Sequence, residues 1–184
     1  MIAQTTERID TPRRAISPKA IVAAMVIVGA GVAATILVVI FAGGTTVSPY
    51  EAELSPLVVR HNAIVGQWNN FLIEYNGISL ADPAVFDARA VDALALVERL
   101  ATESQGVILA WDKVVAPPEM DAAHSFARDA MRLTQDGFIE LGTYFTTIVK
   151  NGIAFDDELK AGTSRLEAAS VLWSQARAAA EPAN

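Results

Sequence analysis

The sequence predicts an all-α protein: a single-pass transmembrane helix near the N-terminus, then an extracytoplasmic up-down-up-down four-helix bundle. Three observations predict it. Ile21 to Ala42 is a run of 22 residues without a charge. Four later segments place apolar residues at alternating spacings of three and four, the seam of a helix packed on other helices. The breaks between those segments are short and marked by Pro, Asn and Gly, which suits antiparallel neighbours.

Residues 1–19 are polar, carry Pro12 and Pro18, and read as a disordered cytoplasmic tail. The predicted membrane helix covers 20–42. As a helix the uncharged run would be ~33 Å long, enough to cross a hydrocarbon core of ~30 Å. A helix is the one single segment that satisfies its own backbone in lipid. Arg8, Arg13, Arg14 and Lys19 precede the run, whereas Glu51 and Glu53 follow it before the first basic residue, Arg60. Positive residues stay inside, so the N-terminus is expected in the cytoplasm and the rest of the chain outside. Ala42-Gly43-Gly44 offers small residues to a signal peptidase. The run exceeds a typical h-region of about 7–15 residues, so a retained signal-anchor is expected. Gly29 and Ala33, Ala30 and Ala34, and Gly31 and Thr35 are small pairs four apart. They would let a helix of a protein partner, or of a second copy, approach closely.

Gly43 to Val47 is a linker, and 48–184 forms the bundle. Its first helix starts at Pro49 or Pro56 and ends at Asn76-Gly77. Ser48-Pro49-Tyr50-Glu51 has the form of a capping box, but Pro56 would break or kink a helix begun there. Its seam is Leu54, Leu57, His61, Ile64, Trp68, Phe71 and Tyr75. The second helix opens at Asp82-Pro83 and runs to about Val115 past Gly106, with Ala90, Ala93, Val97, Leu100, Ser104, Val107, Trp111 and Val114 on its seam. The third runs from about Pro118 to Val149, with seam residues including His124, Ala127, Met131, Thr134, Phe138, Leu141 and Phe145. Asn151-Gly152 closes it. The fourth runs from Asp156 to about Ala180, with Leu159, Gly162, Leu166, Ala169, Trp173 and Ala176 inward. Arg99 with Glu103 and Arg132 with Asp136 read as exposed pairs four apart. Tyr50 reads as an aromatic at the headgroup level.

Composition narrows the chemistry. There is no Cys in 184 residues and the formal net charge is −7. Disulfides, thiolate metal sites and covalent c-type haem are excluded, and the negative balance argues against nucleic acid. No metalloprotease, hydrolase-elbow or phosphate-loop motif is present, so no catalytic residue is assigned and an enzyme is not expected. A di-iron site needs inward Glu and Glu-x-x-His pairs, and the seams carry no Glu.

Both His residues fall on seams. Counted from Pro56, Pro118, Val115 and Ala180, His61, His124, Trp111 and Trp173 stand at similar heights. The sequence therefore predicts one membrane-proximal layer of these four residues. Its plainest role is structural, with each ring bonded inside the core. The alternatives are a pH response and ligation of a b-type haem or a metal.

At the level of fold alone, the arrangement resembles the four-helix extracytoplasmic sensor modules of bacterial receptors. Those carry a second membrane helix and a cytoplasmic signalling domain. No second apolar run of that length follows here, so inward signalling by this chain alone is not expected. The expected function is a non-enzymatic accessory or interaction subunit of a membrane complex, without cofactor. The alternative is a ligand-binding or sensing bundle at His61 and His124.

Overall fold

The computed structural model describes residues 48–76, 83–152 and 156–181. It contains four long helices: α1 (Pro49–Asn76), α2 (Pro83–Trp111), α3 (Asp121–Asn151) and α4 (Asp156–Ala180). A single 3-10 turn, Pro118–Met120, precedes α3. The tail, the apolar run with its small-residue pairs from Gly29 to Thr35, and the linker lie outside the described residues. Among the described residues, no helix is long and apolar enough to cross a membrane.

Of the two possible starts for the first helix, Pro49 is the one used. The Ser48 amide donates to Glu51 Oε2 at 2.7 Å, and the Glu51 amide donates to Ser48 Oγ at 3.2 Å. This reciprocal box satisfies two of the orphan donors at a helix start. Pro56 stays inside the helix. It cannot donate to the Ala52 carbonyl, but Ala52 and Pro56 both face solvent, where water can take that bond. The second helix stops at Trp111, short of the expected Val115. The following amides bond three residues back, Lys113 to Ala110 and Val114 to Trp111, and this tighter turn ends the helix. Gly152, at φ 61°, closes α3 by donating to Ile148 O at 2.7 Å, a left-handed position that glycine adopts without strain.

Sequential helices pack antiparallel, and their registers can be read from contacts. Between α1 and α2, Arg99 Nη1 donates to Gln67 Oε1 at 2.8 Å, and the Arg60 guanidinium lies 3.5 Å from where a Cβ on Gly106 would stand. Seven steps down α1 match seven steps up α2, so both contacts give one register. Between α2 and α3, Gln135 Nε2 donates to Gln105 Oε1 at 2.7 Å, and Gly142 faces Val97. The described members of all four expected seams are buried or half-buried. The core also takes Val58, Val65, Leu72, Ile108, Ala130 and Tyr144, which widen each seam into the broader stripe of a globular helix.

The closest approach is between α3 and α4. A Cβ on Gly162 would stand 2.8 Å from Leu141 Cγ and 3.1 Å from the Gly137 carbonyl oxygen. One on Gly137 would meet Leu166 Cγ at 2.9 Å and the Gly162 carbonyl at 3.1 Å. Backbone cannot step aside as a side chain can, so Gly162→Ala should separate these helices and cost about 1–3 kcal/mol. Gly66, by contrast, has nothing within 4 Å of its missing Cβ. Gly66→Ala should stabilise by about 0.5–1 kcal/mol through helix propensity. All three tryptophans are buried in the bundle, so denaturation followed by their fluorescence checks both. Equal effects of the two variants would disprove the steric account.

Candidate functional site

The four singled-out residues form two histidine–tryptophan pairs. The first lies where α2 turns into α3. Trp111 Nε1 donates to the His124 backbone carbonyl at 3.3 Å, and its ring stacks on the His124 imidazole, centroids 5.0 Å apart and 29° between planes. Tyr50, one residue into α1, joins this pair: its hydroxyl lies 3.0 Å from His124 Nδ1. Burial, aided by the Asp121 charge, pushes Tyr50 up to about 12. The phenol therefore keeps its proton; it donates to Nδ1 when the neutral imidazole carries its proton on Nε2, and accepts from Nδ1–H in the other tautomer. Burial also pushes His124 down, Arg128 adds to this, and Asp121 and Asp112 oppose it. Tyr50 is thus a half-buried member of the bundle.

The second pair is deeper. His61 is fully buried. Trp173 Nε1 donates to its Nε2 at 3.3 Å, with ring centroids 5.2 Å apart. That bond fixes the tautomer, because Nε2 must be bare to accept. The proton then sits on Nδ1, which is buried and has no partner. Burial pushes His61 down to about 4. Charging the ring would also put a hydrogen on Nε2, facing the indole N–H.

These pairs occupy two tiers, which corrects the single layer expected from the sequence. Tyr50 marks the height of His124 on α1, and α1 is continuous to His61. The eleven steps between them span ~16 Å at ~1.5 Å per residue, about three turns. A height counted from Pro56 places His61 near the helix start, whereas the helix starts at Pro49. At that separation the two imidazoles cannot bracket one haem iron as an axial pair.

The deeper tier has members that seam spacing alone does not distinguish from ordinary core positions. By the α1–α2 register, His61 stands within a residue of Ser104. By the α2–α3 register, Ser104 stands within two residues of Thr134. His61, Ser104 and Thr134 are 0%, 1% and 2% exposed, so all three point into the core. With Trp173, each helix contributes one polar group to a single level. Thr134 Oγ1 donates to the Ala130 carbonyl at 2.9 Å. Ser104 Oγ, like His61 Nδ1, has no partner. Such a group costs about 1–3 kcal/mol if left unsatisfied. Ser104 and Thr134 stand on the predicted seams; the interhelical register is the signal that places them at the level of His61.

Among the described residues, the remaining surface offers no catalytic grouping, and no three His, Cys, Asp or Glu side chains are placed to hold a metal ion. An open groove of about 480 Å³ between α2 and α3 is lined by Thr102, Thr143, Thr147 and Ile139, with Glu98 its one ionisable group. Those three threonines donate to carbonyls four residues back, at 2.9–3.3 Å. Their hydroxyl protons are therefore committed to their own helices, and only their lone pairs face the groove. Arg99 pairs with Glu103 at 3.0 Å as its spacing suggests. The expected Arg132–Asp136 pair is replaced by Arg132 with Asp112 and Arg165 with Asp136. No protein-family model, curated protein or solved structure matches the chain.

Proposed function

We propose that the chain is a non-enzymatic, membrane-anchored accessory or interaction subunit, with its bundle held outside the cytoplasm. The observation that carries this reading is the uncharged run Ile21–Ala42, which ends seven residues before α1 begins. Its flanks set the orientation by the positive-inside rule. The small-residue pairs from Gly29 to Thr35 supply a surface for a partner helix or a second copy. The bundle's fit to the reading is its packed interior and the commitment of both histidines to internal bonds.

The test is native mass spectrometry of the full-length protein released gently from its own membrane. Extra polypeptide mass is expected, and Ala30→Leu with Ala34→Leu should reduce it. Recovery of the chain in the soluble fraction, or association unchanged by that double substitution, would overturn the anchor. A ligand-binding or sensing bundle is the second reading, favoured by the unpartnered His61 Nδ1 in the core. A visible absorption band or bound metal that disappears on His61→Ala or His124→Ala would establish it instead.

A further inference from the structure

The open groove of about 480 Å³ between α2 and α3 offers mostly hydrogen-bond acceptors. Thr102, Thr143 and Thr147 have given their protons to carbonyls of their own helices and keep lone pairs to share. Glu98 adds a carboxylate, and among the described residues that carboxylate enters no ion pair. Beside these oxygens the groove is walled by Ala101, Phe138, Ile139 and Gly142. We propose that this groove is a binding site for a primary ammonium group carried on a short apolar stem.

Register and charge both support it. Gln105 bonds to Gln135 and Val97 faces Gly142. Glu98 therefore stands at the height of Gly142 and within two residues of Thr143, ~3 Å along the axis. Ala101 and Ile139 share a height about one turn away. An ammonium at the level of Glu98 and Thr143 lays its stem on those two side chains. Gly142 keeps the place open. A Cβ there would meet only Val97, at an ordinary 3.8 Å, so packing does not require glycine where alanine is the better helix former. An ammonium carries three donors and no acceptor, the complement of this lining. A carboxylate or phosphate would instead face the Glu98 charge and the threonine lone pairs. Arg99, the next residue, is bonded to Gln67 and Glu103, which leaves Glu98 to an outside cation. Two sources carry this chemistry, a free alkylamine and the lysine side chain of a partner protein.

Methyl NMR of the full-length protein in an uncharged detergent, titrated with butylammonium chloride, tests the site. Saturable shifts are expected at the Ile139 and Thr143 methyls, while Val59, exposed on α1, stays unmoved. Butanol and butyrate keep the stem without the ammonium and should bind about tenfold more weakly or not at all. Glu98 is exposed, so Glu98→Gln keeps the fold and should weaken butylammonium by about tenfold. Thr143→Val, which removes one acceptor at constant shape, should weaken it by a smaller factor. Added salt should weaken it as well. Absence of saturable shifts at the groove methyls would overturn the proposal. So would butyrate binding as well as butylammonium, or an affinity unchanged in Glu98→Gln. Nα-acetyl-lysine methylamide separates the sources. Tighter binding than butylammonium assigns the ammonium to a partner's lysine, and weaker binding assigns it to a free amine.

Discussion

Replacing Trp173 by alanine should cost the bundle about 4 kcal/mol, a large share of the 5–15 kcal/mol of a typical domain. Two causes add. The indole is 5% exposed and packs in the core cluster, so its removal forfeits transfer energy and leaves a cavity. It also deprives His61 Nε2 of its hydrogen bond, while Nδ1 already has no partner. Trp173→Phe separates the causes, because it keeps a ring but loses the N–H donor. Its cost should be about half that of the alanine variant. Urea denaturation read by Trp68 and Trp111 fluorescence measures both. A Trp173→Ala protein within about 1 kcal/mol of wild type would mean that α1 and α4 are not held together through this ring.

The same contact explains what was legible in the sequence. Seam spacing is a local property, so it identifies the buried face of every helix, including Trp173 and His61, without knowledge of the fold. Helix starts are decided by competition between neighbouring signals. At α1 the Ser48–Glu51 box competes with Pro56, and the outcome turns on the solvent exposure of Ala52 and Pro56. A helix pattern does not state whether a freed carbonyl is wet, and a count from Pro56 shifts His61 downward by seven residues. The two-tier arrangement is hidden by that one choice, and the polar level with Ser104 and Thr134 by the interhelical register. Arg132 and Asp136 fail for a related reason. Their spacing permits a pair, but interhelical register brings Asp112 to Arg132 and Arg165 to Asp136. Where an interaction depends on one helix alone, sequence suffices; where it depends on the offset between two, it does not.

Acid should weaken the bundle through His61 in a window that the geometry defines. The unfolded imidazole titrates near its ordinary value of 6.5, whereas the folded one is held down to about 4 by burial. Above 6.5 both states are neutral and this group adds no pH dependence. As pH falls below 6.5 the unfolded chain takes up the proton first, so unfolding is progressively favoured. The loss is complete below about 4, once the folded ring is charged too. Its full size is about 3 kcal/mol, since each tenfold difference in proton affinity between the two states is worth ~1.4 kcal/mol. Carboxylates titrate over part of the same range, so the comparison must be with a variant that lacks only this titration. His61→Gln keeps an acceptor within the residue and cannot ionise. Between pH 7 and pH 4 the wild type should lose about 3 kcal/mol more stability than His61→Gln. His124, also pushed down, contributes in the same direction and is common to both proteins. If the two proteins lose stability in parallel, the His61 ring must reach solvent or find a partner for its charge, and the closed His61–Trp173 tier is refuted. The outcome also bears on function. With its proton uptake displaced to about 4, His61 serves the bundle at neutral pH as an uncharged acceptor for Trp173. Of the two histidines, the more exposed His124 is the one open to protonation in the folded bundle above that range, and there Tyr50, near the α1 start, is bonded to the α3 start.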